Sequence, residues 1–207
     1  MLTDVRLIDF LTSARRKLPL ATAQGFPLFV GFGTLWRGWA LAVQGESEVA
    51  LAQLRQGLAA MVAIGQERER PLGLVLLAEA AGQAGQIAEG LCLLAEALMV
   101  LETNGQGDLL AEVYRLQGAL LLCQSVPDVA QAEACFQQAL TMARHQQAKS
   151  WELRATVSLS RLWQQQGKRA EAHALLAPVY GWFTEGFDTA DLQEAKALLE
   201  ELTEGQS

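Results

Sequence analysis

Residues 78–97 read AEAAGQAGQIAEGLCLLAEA, and the spacing of Ala78, Gly90, Leu94 and Ala97 within them decides the fold. The same small, small, large, small set recurs as Gly38, Ala50, Leu54, Gly57, as Gly118, Ala132, Phe136, Ala139, and as Ser160, Ala172, Leu176, Val179. From the second position the spacing is four then three in every copy, and successive copies are offset by 40, 42 and 40 residues. The third copy alone stretches its first gap, from 12 to 14. Eleven of the twelve small positions hold Gly, Ala or Ser, types that make up about 28% of the chain. Small residues let two helix axes approach to about 8 Å, and the large residue between them fills the remaining groove. Each copy therefore reads as an antiparallel helical hairpin.

Working outward, the turns agree. Gly45, Gly85 and Gly167 stand where a first helix ends and a residue tolerant of positive φ is favoured. In the third copy, Pro127 with Asp128 and Gln131 reads as a loop leading into a helix start. Breaks at Arg70-Pro71, Asn104-Gly105 and Ser150 separate the copies. The pattern predicts first helices near 29–44, 71–84, 108–123 and 151–166, and second helices near 47–65, 87–102, 129–147 and 169–181. A last helix capped by Asp188 or Thr189 carries the stripe Leu192, Ala195, Leu199, Leu202, with Glu194, Lys196, Glu200 and Glu201 facing water. At the other end, Val5, Ile8 and Leu11 form a weak stripe followed by Arg15, Arg16 and Lys17, as in half a repeat. The expected domains are 1–28 (N-terminal helix or half repeat), 29–187 (repeats) and 188–207 (capping helix and tail). The expected architecture is an all-α superhelix of four antiparallel hairpins plus a capping helix.

Composition supports this and removes other classes. The 207 residues include 36 Leu, 33 Ala and 20 Gln against 12 Val and 3 Ile, which excludes an all-β fold. A net charge of −7 speaks against nucleic acid as a partner. Cys92, Cys123 and Cys135 are odd in number without CxxC spacing, so reduced, buried thiols are expected rather than disulfides or a zinc site. The start lacks a basic region leading into a long apolar run, so cytoplasm is the expected compartment. Phe26 to Val43 is long enough to challenge that, but Arg37 past its middle would cost about 2.5–3.5 kcal/mol on insertion, so a buried helix and no membrane are expected.

The spacing, with Gly ending the first helix, resembles the tetratricopeptide repeat, lengthened from its usual length of about 34 residues. Five runs carry a closer resemblance: GTLWRGWAL at 33–41, EVYRLQG at 112–118, AEACFQQAL at 132–140, LWQQQGKRAEA at 162–172 and GFDTADLQEAK at 186–196. Over about residues 18–202 they are similar to the C-terminal tetratricopeptide region of large bacterial signalling proteins. In that family a class III adenylate or guanylate cyclase domain and a signal-transducing ATPase module precede the repeats, and neither lies within these 207 residues. The resemblance implies a regulatory, protein-binding role in signal transduction.

No constellation of catalytic residues emerges. Gly31, Gly33 and Gly38 have the wrong spacing for a dinucleotide loop and no strand before them. Gly167-Lys168 resembles the end of a P-loop, but Arg169 stands where Ser or Thr is required and Leu162 where the first Gly is. His145 and His173 fall on different helices, which removes a two-histidine metal motif. Ser158 and Ser160 lack an activating motif, and Glu67, Glu69, Glu200 and Glu201 read as solvated. No enzyme, cofactor or metal is expected.

Binding is the better reading. Carrying over tetratricopeptide geometry, first helices line a groove with Leu35, Trp39 and Val43, then Val75, Glu79 and Gln83, then Arg115, Ala119 and Leu122, then Val157, Arg161 and Gln165, with Arg154 a turn earlier. Leu35, Trp39, Glu79, Arg115, Arg154 and Arg161 are the candidate concave-face residues, apolar at the front and cationic at the rear. The bland alternatives are that Phe32, Trp36 and Trp39 pack on an upstream half repeat, that the arginines form ordinary pairs, and that Trp151, Trp163 and Trp182 are core. The expected partner is a protein or peptide; a small anionic effector held by the arginines, and a homodimer through the N-terminal apolar helix, are the alternatives.

Overall fold

A computed structural model describes residues 26–204, so the helix expected over residues 2–17 lies outside the described residues. Among the described residues nine α-helices follow one another: α1 (Pro27–Val43), α2 (Ser47–Ala63), α3 (Arg70–Gln83), α4 (Ile87–Asn104), α5 (Leu110–Leu122), α6 (Val129–His145), α7 (Lys149–Gln165), α8 (Arg169–Tyr180) and α9 (Ala190–Glu204), with a 3₁₀ turn at Glu67–Glu69. No strand occurs among the described residues. Every hairpin expected from the repeat spacing is present, with helix ends shifted by no more than three residues. No described helix is long and apolar enough to cross a membrane.

The helices fall into two compact units divided between Leu109 and Leu110. In the first, α1 packs on α2, α2 on α3 and α3 on α4, while α1 also touches α3. In the second, α5 to α9 pack in the same consecutive manner, and α7 also touches α5 and α9. Each first helix therefore meets its own hairpin partner and a neighbouring first helix. The last helix, α9, occupies the place of one more first helix. Its Leu192, Ala195, Leu198 and Leu202 are buried against Leu153, Val157 and Leu176, and Leu199, expected on that stripe, is only partly buried. Glu194, Lys196, Glu200 and Glu201 are exposed, closing the unit with a charged face.

The repeated residues show why the hairpins form. Gly38 faces Leu54 so closely that a Cβ would sit 2.9 Å from the Leu54 nitrogen and 3.1 Å from the Ala50 carbonyl oxygen. At Gly57 the same test gives 2.7 Å to the Leu35 nitrogen. At Gly118 the obstacle is the Phe136 ring at 2.7 Å, with the Ala132 carbonyl at 3.0 Å. The large residues Leu54, Leu94, Phe136 and Leu176 are at most 2% exposed, each contributing about 1.5–3 kcal/mol of apolar burial. In the fourth copy Ser160 replaces the glycine and donates its buried Oγ–H to the Ala172 carbonyl at 3.2 Å, so its hydroxyl is satisfied.

One turn geometry recurs at the helix ends. After α1, Gly45 at φ 84° donates to Ala42 at 2.9 Å and Glu46 donates to Leu41 at 3.0 Å, capping the last carbonyls. The same pair of bonds closes α6, where Gln147 adopts φ 55° with no glycine to ease it. The third copy, lacking a glycine, opens α6 instead with Asp128, whose Oδ1 accepts from the Gln131 nitrogen at 3.0 Å.

Three burial expectations are corrected. Cys92 and Cys123 are exposed and only Cys135 is buried, because Cys92 faces outward on α4 and Cys123 follows the end of α5. Trp182 is 57% exposed, having left the helix for the α8–α9 loop, and Trp151 and Trp163 are half-buried rather than core.

The close approaches predict opposite outcomes for one substitution. Alanine for glycine inside a helix gains about 1 kcal/mol of helix propensity, whereas overpacking against backbone costs about 1–3 kcal/mol. Gly57→Ala, blocked by the Leu35 backbone, should lower the urea midpoint. Gly73→Ala, whose Cβ would come within 3 Å only of Leu58 Cδ1, the far end of a flexible side chain, at 2.7 Å, should leave it unchanged or raise it.

Candidate functional site

Equivalent positions on the first helices separate into two kinds. Leu35, Val75 and Val157 are buried at 1%, 4% and 6%, whereas Trp39, Glu79, Ala119 and Arg161, one turn later, are all half-buried. Leu35 is thus a core residue, not a concave-face one. Gly57 draws it inward, since the gap it leaves is occupied by the Leu35 backbone and side chain. The second set, together with Arg115 and Arg154, forms a ledge in each unit.

In the first unit, Trp39 on α1 and Glu79 on α3 meet: the indole Nε1–H donates to Oε2 of Glu79 at 3.4 Å. Trp36, one turn earlier on the same face of α1, sits edge-to-face with Trp39 at 6.0 Å between ring centroids. Sequence reading placed Trp39 and Glu79 in one groove, and the fold brings them together.

In the second unit the expected cationic rear is largely neutralised. Glu112, 4% exposed, accepts from Arg115 Nε at 2.8 Å and Nη2 at 2.7 Å. Arg154 from α7 reaches the same carboxylate at 3.0 Å and lies 3.9 Å from Asp191 of α9. Arg161 pairs with Glu194 of α9 at 3.1 Å. The guanidiniums of Arg115, Arg154 and Arg161 therefore each face a carboxylate, which corrects the reading of an open cationic groove. Glu112, Asp191 and Glu194 were the residues sequence reasoning missed. The signal was available, because Glu112 and Arg154 stand at equivalent positions one repeat apart and carry opposite charges.

Two more carboxylates hold helices together. Burial pushes the Glu152 carboxyl up, but hydrogen bonds from Lys149 at 2.7 Å and Arg144 at 2.9 Å outweigh it and hold the group below the usual carboxylate range. Glu133 is likewise held low, chiefly by the Trp163 indole N–H at 2.8 Å. Burial pushes the Cys135 thiol up, which disfavours the thiolate a nucleophile needs. Arg154 also lies over Trp151 at 5.3 Å and Lys149 over Trp182 at 5.5 Å, within cation–π range. Among the described residues no group of three or more His, Cys, Asp or Glu could hold a metal ion.

With this geometry in hand, the fold is that of tetratricopeptide-like repeat proteins. BtubC (BKLC) from P. vanneervenii superposes with a TM-score of 0.68 at 16% identity, covering 97% of this chain and 91% of that one. The "kinesin light chain nearly identical TPR-like repeats" of Podosopora anserina give a TM-score of 0.51 at 17% identity over 100% of both chains. A single-substitution form of that protein gives 0.56 at 17% identity, over 85% of this chain and 93% of that one. No protein-family model matches the chain, and neither does any curated protein.

The ion pairs differ in burial, and their removal should differ accordingly. Glu112→Ala leaves two guanidiniums that are 14% and 28% exposed without their buried partner, and should cost about 3 kcal/mol in urea unfolding. Arg161→Ala, in a pair 40% and 46% exposed, should cost less than about 1 kcal/mol. For Glu152 the folded carboxyl titrates below its unfolded value, so its stabilisation is present at neutral pH and lost as the pH falls through the folded value. Glu152→Gln should therefore lie about 1–2 kcal/mol below wild type at pH 7, a gap that closes as the pH falls through the lowered titration of the folded carboxyl.

Proposed function

We propose that the chain is a non-catalytic protein-interaction scaffold whose first-helix ledges bind a protein or peptide partner. One observation carries this: the equivalent position on successive first helices holds Trp39, Glu79, Ala119 and Arg161, all half-buried, while the packing positions around it repeat. Core positions keep one size because sterics demand it, so a neighbouring position that changes from aromatic to acidic to small to basic is suited to reading a partner residue by residue. Trp and Arg are also the types most enriched at binding hot spots.

The similarity of residues 18–202 to the C-terminal region of cyclase-linked signalling ATPases supports a finer reading, that of a cytoplasmic regulatory element in a bacterial signalling protein. A partner on the ledge would then favour one arrangement of the helices and bias an attached output domain. The small-effector alternative is the weaker one, because the arginines it relies on already face Glu112, Asp191 and Glu194.

Site-specific photocrosslinking tests the scaffold reading in cells that express the full chain. A crosslinker at position 83 or 161 should trap a discrete protein adduct, whereas one at the outward-facing positions 92 or 134 should not. Equal yields at both sets, or none at the first set, would remove the ledge as the binding surface. Adducts between two copies of the chain would instead identify the homodimer, for which Phe26 and Phe29, 50% and 65% exposed, are the available apolar residues.

A further inference from the structure

We propose that the α1–α3 seam around Trp39 and Glu79 receives an arginine side chain from a basic partner segment. This rests on the ledge reading above and specifies its chemistry. In the second unit each ledge carboxylate is matched from within the chain: Glu112 by Arg115 and Arg154, Asp191 by Arg154, Glu194 by Arg161. Glu79 is the exception. Its partner is the neutral indole N–H of Trp39, on Oε2 at 3.4 Å, and among the described residues no cation pairs with it.

Arg55 is engaged with Glu89 at 2.6 Å, and Arg70 with Glu96 at 2.5 Å and Glu67 at 3.4 Å. Residues 2–109 carry eleven acidic side chains against eight Lys and Arg, so the unit is net acidic and its field favours an incoming cation. Beside the carboxylate stands the Trp39 indole, which meets it through its N–H edge. A carboxylate at the edge of an indole suits a guanidinium better than an ammonium. The planar fork pairs with the carboxylate oxygens while its face lies on an aromatic ring, and it is the more weakly hydrated ion. Gln83, one turn further along α3 and exposed, offers a neutral amide to the backbone of the same segment.

Fluorescence anisotropy on the full chain tests the assignment with a labelled alanine–glycine peptide carrying four arginines, beside lysine and glutamate versions of it. The arginine peptide should bind more tightly than the lysine one, and the glutamate one should not bind. Glu79→Gln keeps a carbonyl oxygen for Trp39 and should fold as wild type by circular dichroism, yet weaken the arginine peptide about tenfold. Glu102→Gln, an exposed acid on α4, should weaken it less than about twofold and so reports the general field. Equal loss in both variants, no loss in Glu79→Gln, or no binding of the arginine peptide would overturn the assignment. Ledge crosslinks that persist in any of those cases would leave the scaffold reading standing, so the two can fail separately.

Discussion

Everything in this fold depends on how close two helices can come at one point per hairpin. Where Gly38 meets Leu54 and Gly57 meets Leu35, backbone and side chain touch at distances that a single added carbon would violate. That approach allows a large residue to be buried between two helices of modest length, and the burial supplies stability that no isolated helix of 12 to 18 residues has. Glycine is a poor helix former, so each of these positions gives up about 1 kcal/mol of propensity for the packing it permits. The trade is favourable because the burial of a single leucine exceeds it.

That steric demand is also why the architecture is legible from the sequence. A rule about size at fixed spacing leaves a trace that survives when identities drift, from Gly118 to Ser160 or from Leu94 to Phe136. The helix-ending glycines are legible for a similar reason, since few residues accept a left-handed backbone. The ledge was legible only in part. Trp39 and Glu79 could be placed on one side of their helices by period, and their contact follows. Leu35 could not be told from them, because a turn's difference along one helix face is decided by what the facing helix lacks, here a side chain at Gly57. The arginines were misjudged for another reason. A local pattern shows a charge but not its counter-charge, and Glu194 comes from a helix that begins 29 residues after Arg161.

The two ledges therefore differ in electrostatic character despite a shared scaffold. In the second unit the charges are internally balanced, with Glu112 drawing two arginines toward one buried carboxylate, and their first role is to bind α5, α7 and α9 to one another. In the first unit a long hydrogen bond from Trp39 to Glu79 joins α1 to α3 beside their apolar packing, and among the described residues no cation pairs with that carboxylate. Balanced charge resists displacement by a ligand, since breaking such a pair exposes two desolvated ions, whereas unmatched charge beside an indole gains by accepting one.

The consecutive packing also bears on how the chain reaches this state. Helix pairs are neighbours in sequence, and among the described residues the side-chain hydrogen bonds and ion pairs that cross between helices join residues at most 42 apart, as between Glu112 and Arg154. Loops of that size close at little entropic cost, and a topology built from near-neighbour contacts belongs to the fast-folding end of the range. Each hairpin can form on the one beside it without waiting for a distant strand or terminus. Synthesis on the ribosome delivers the hairpins in that order, so the chain can acquire stable structure while its remainder is still being made.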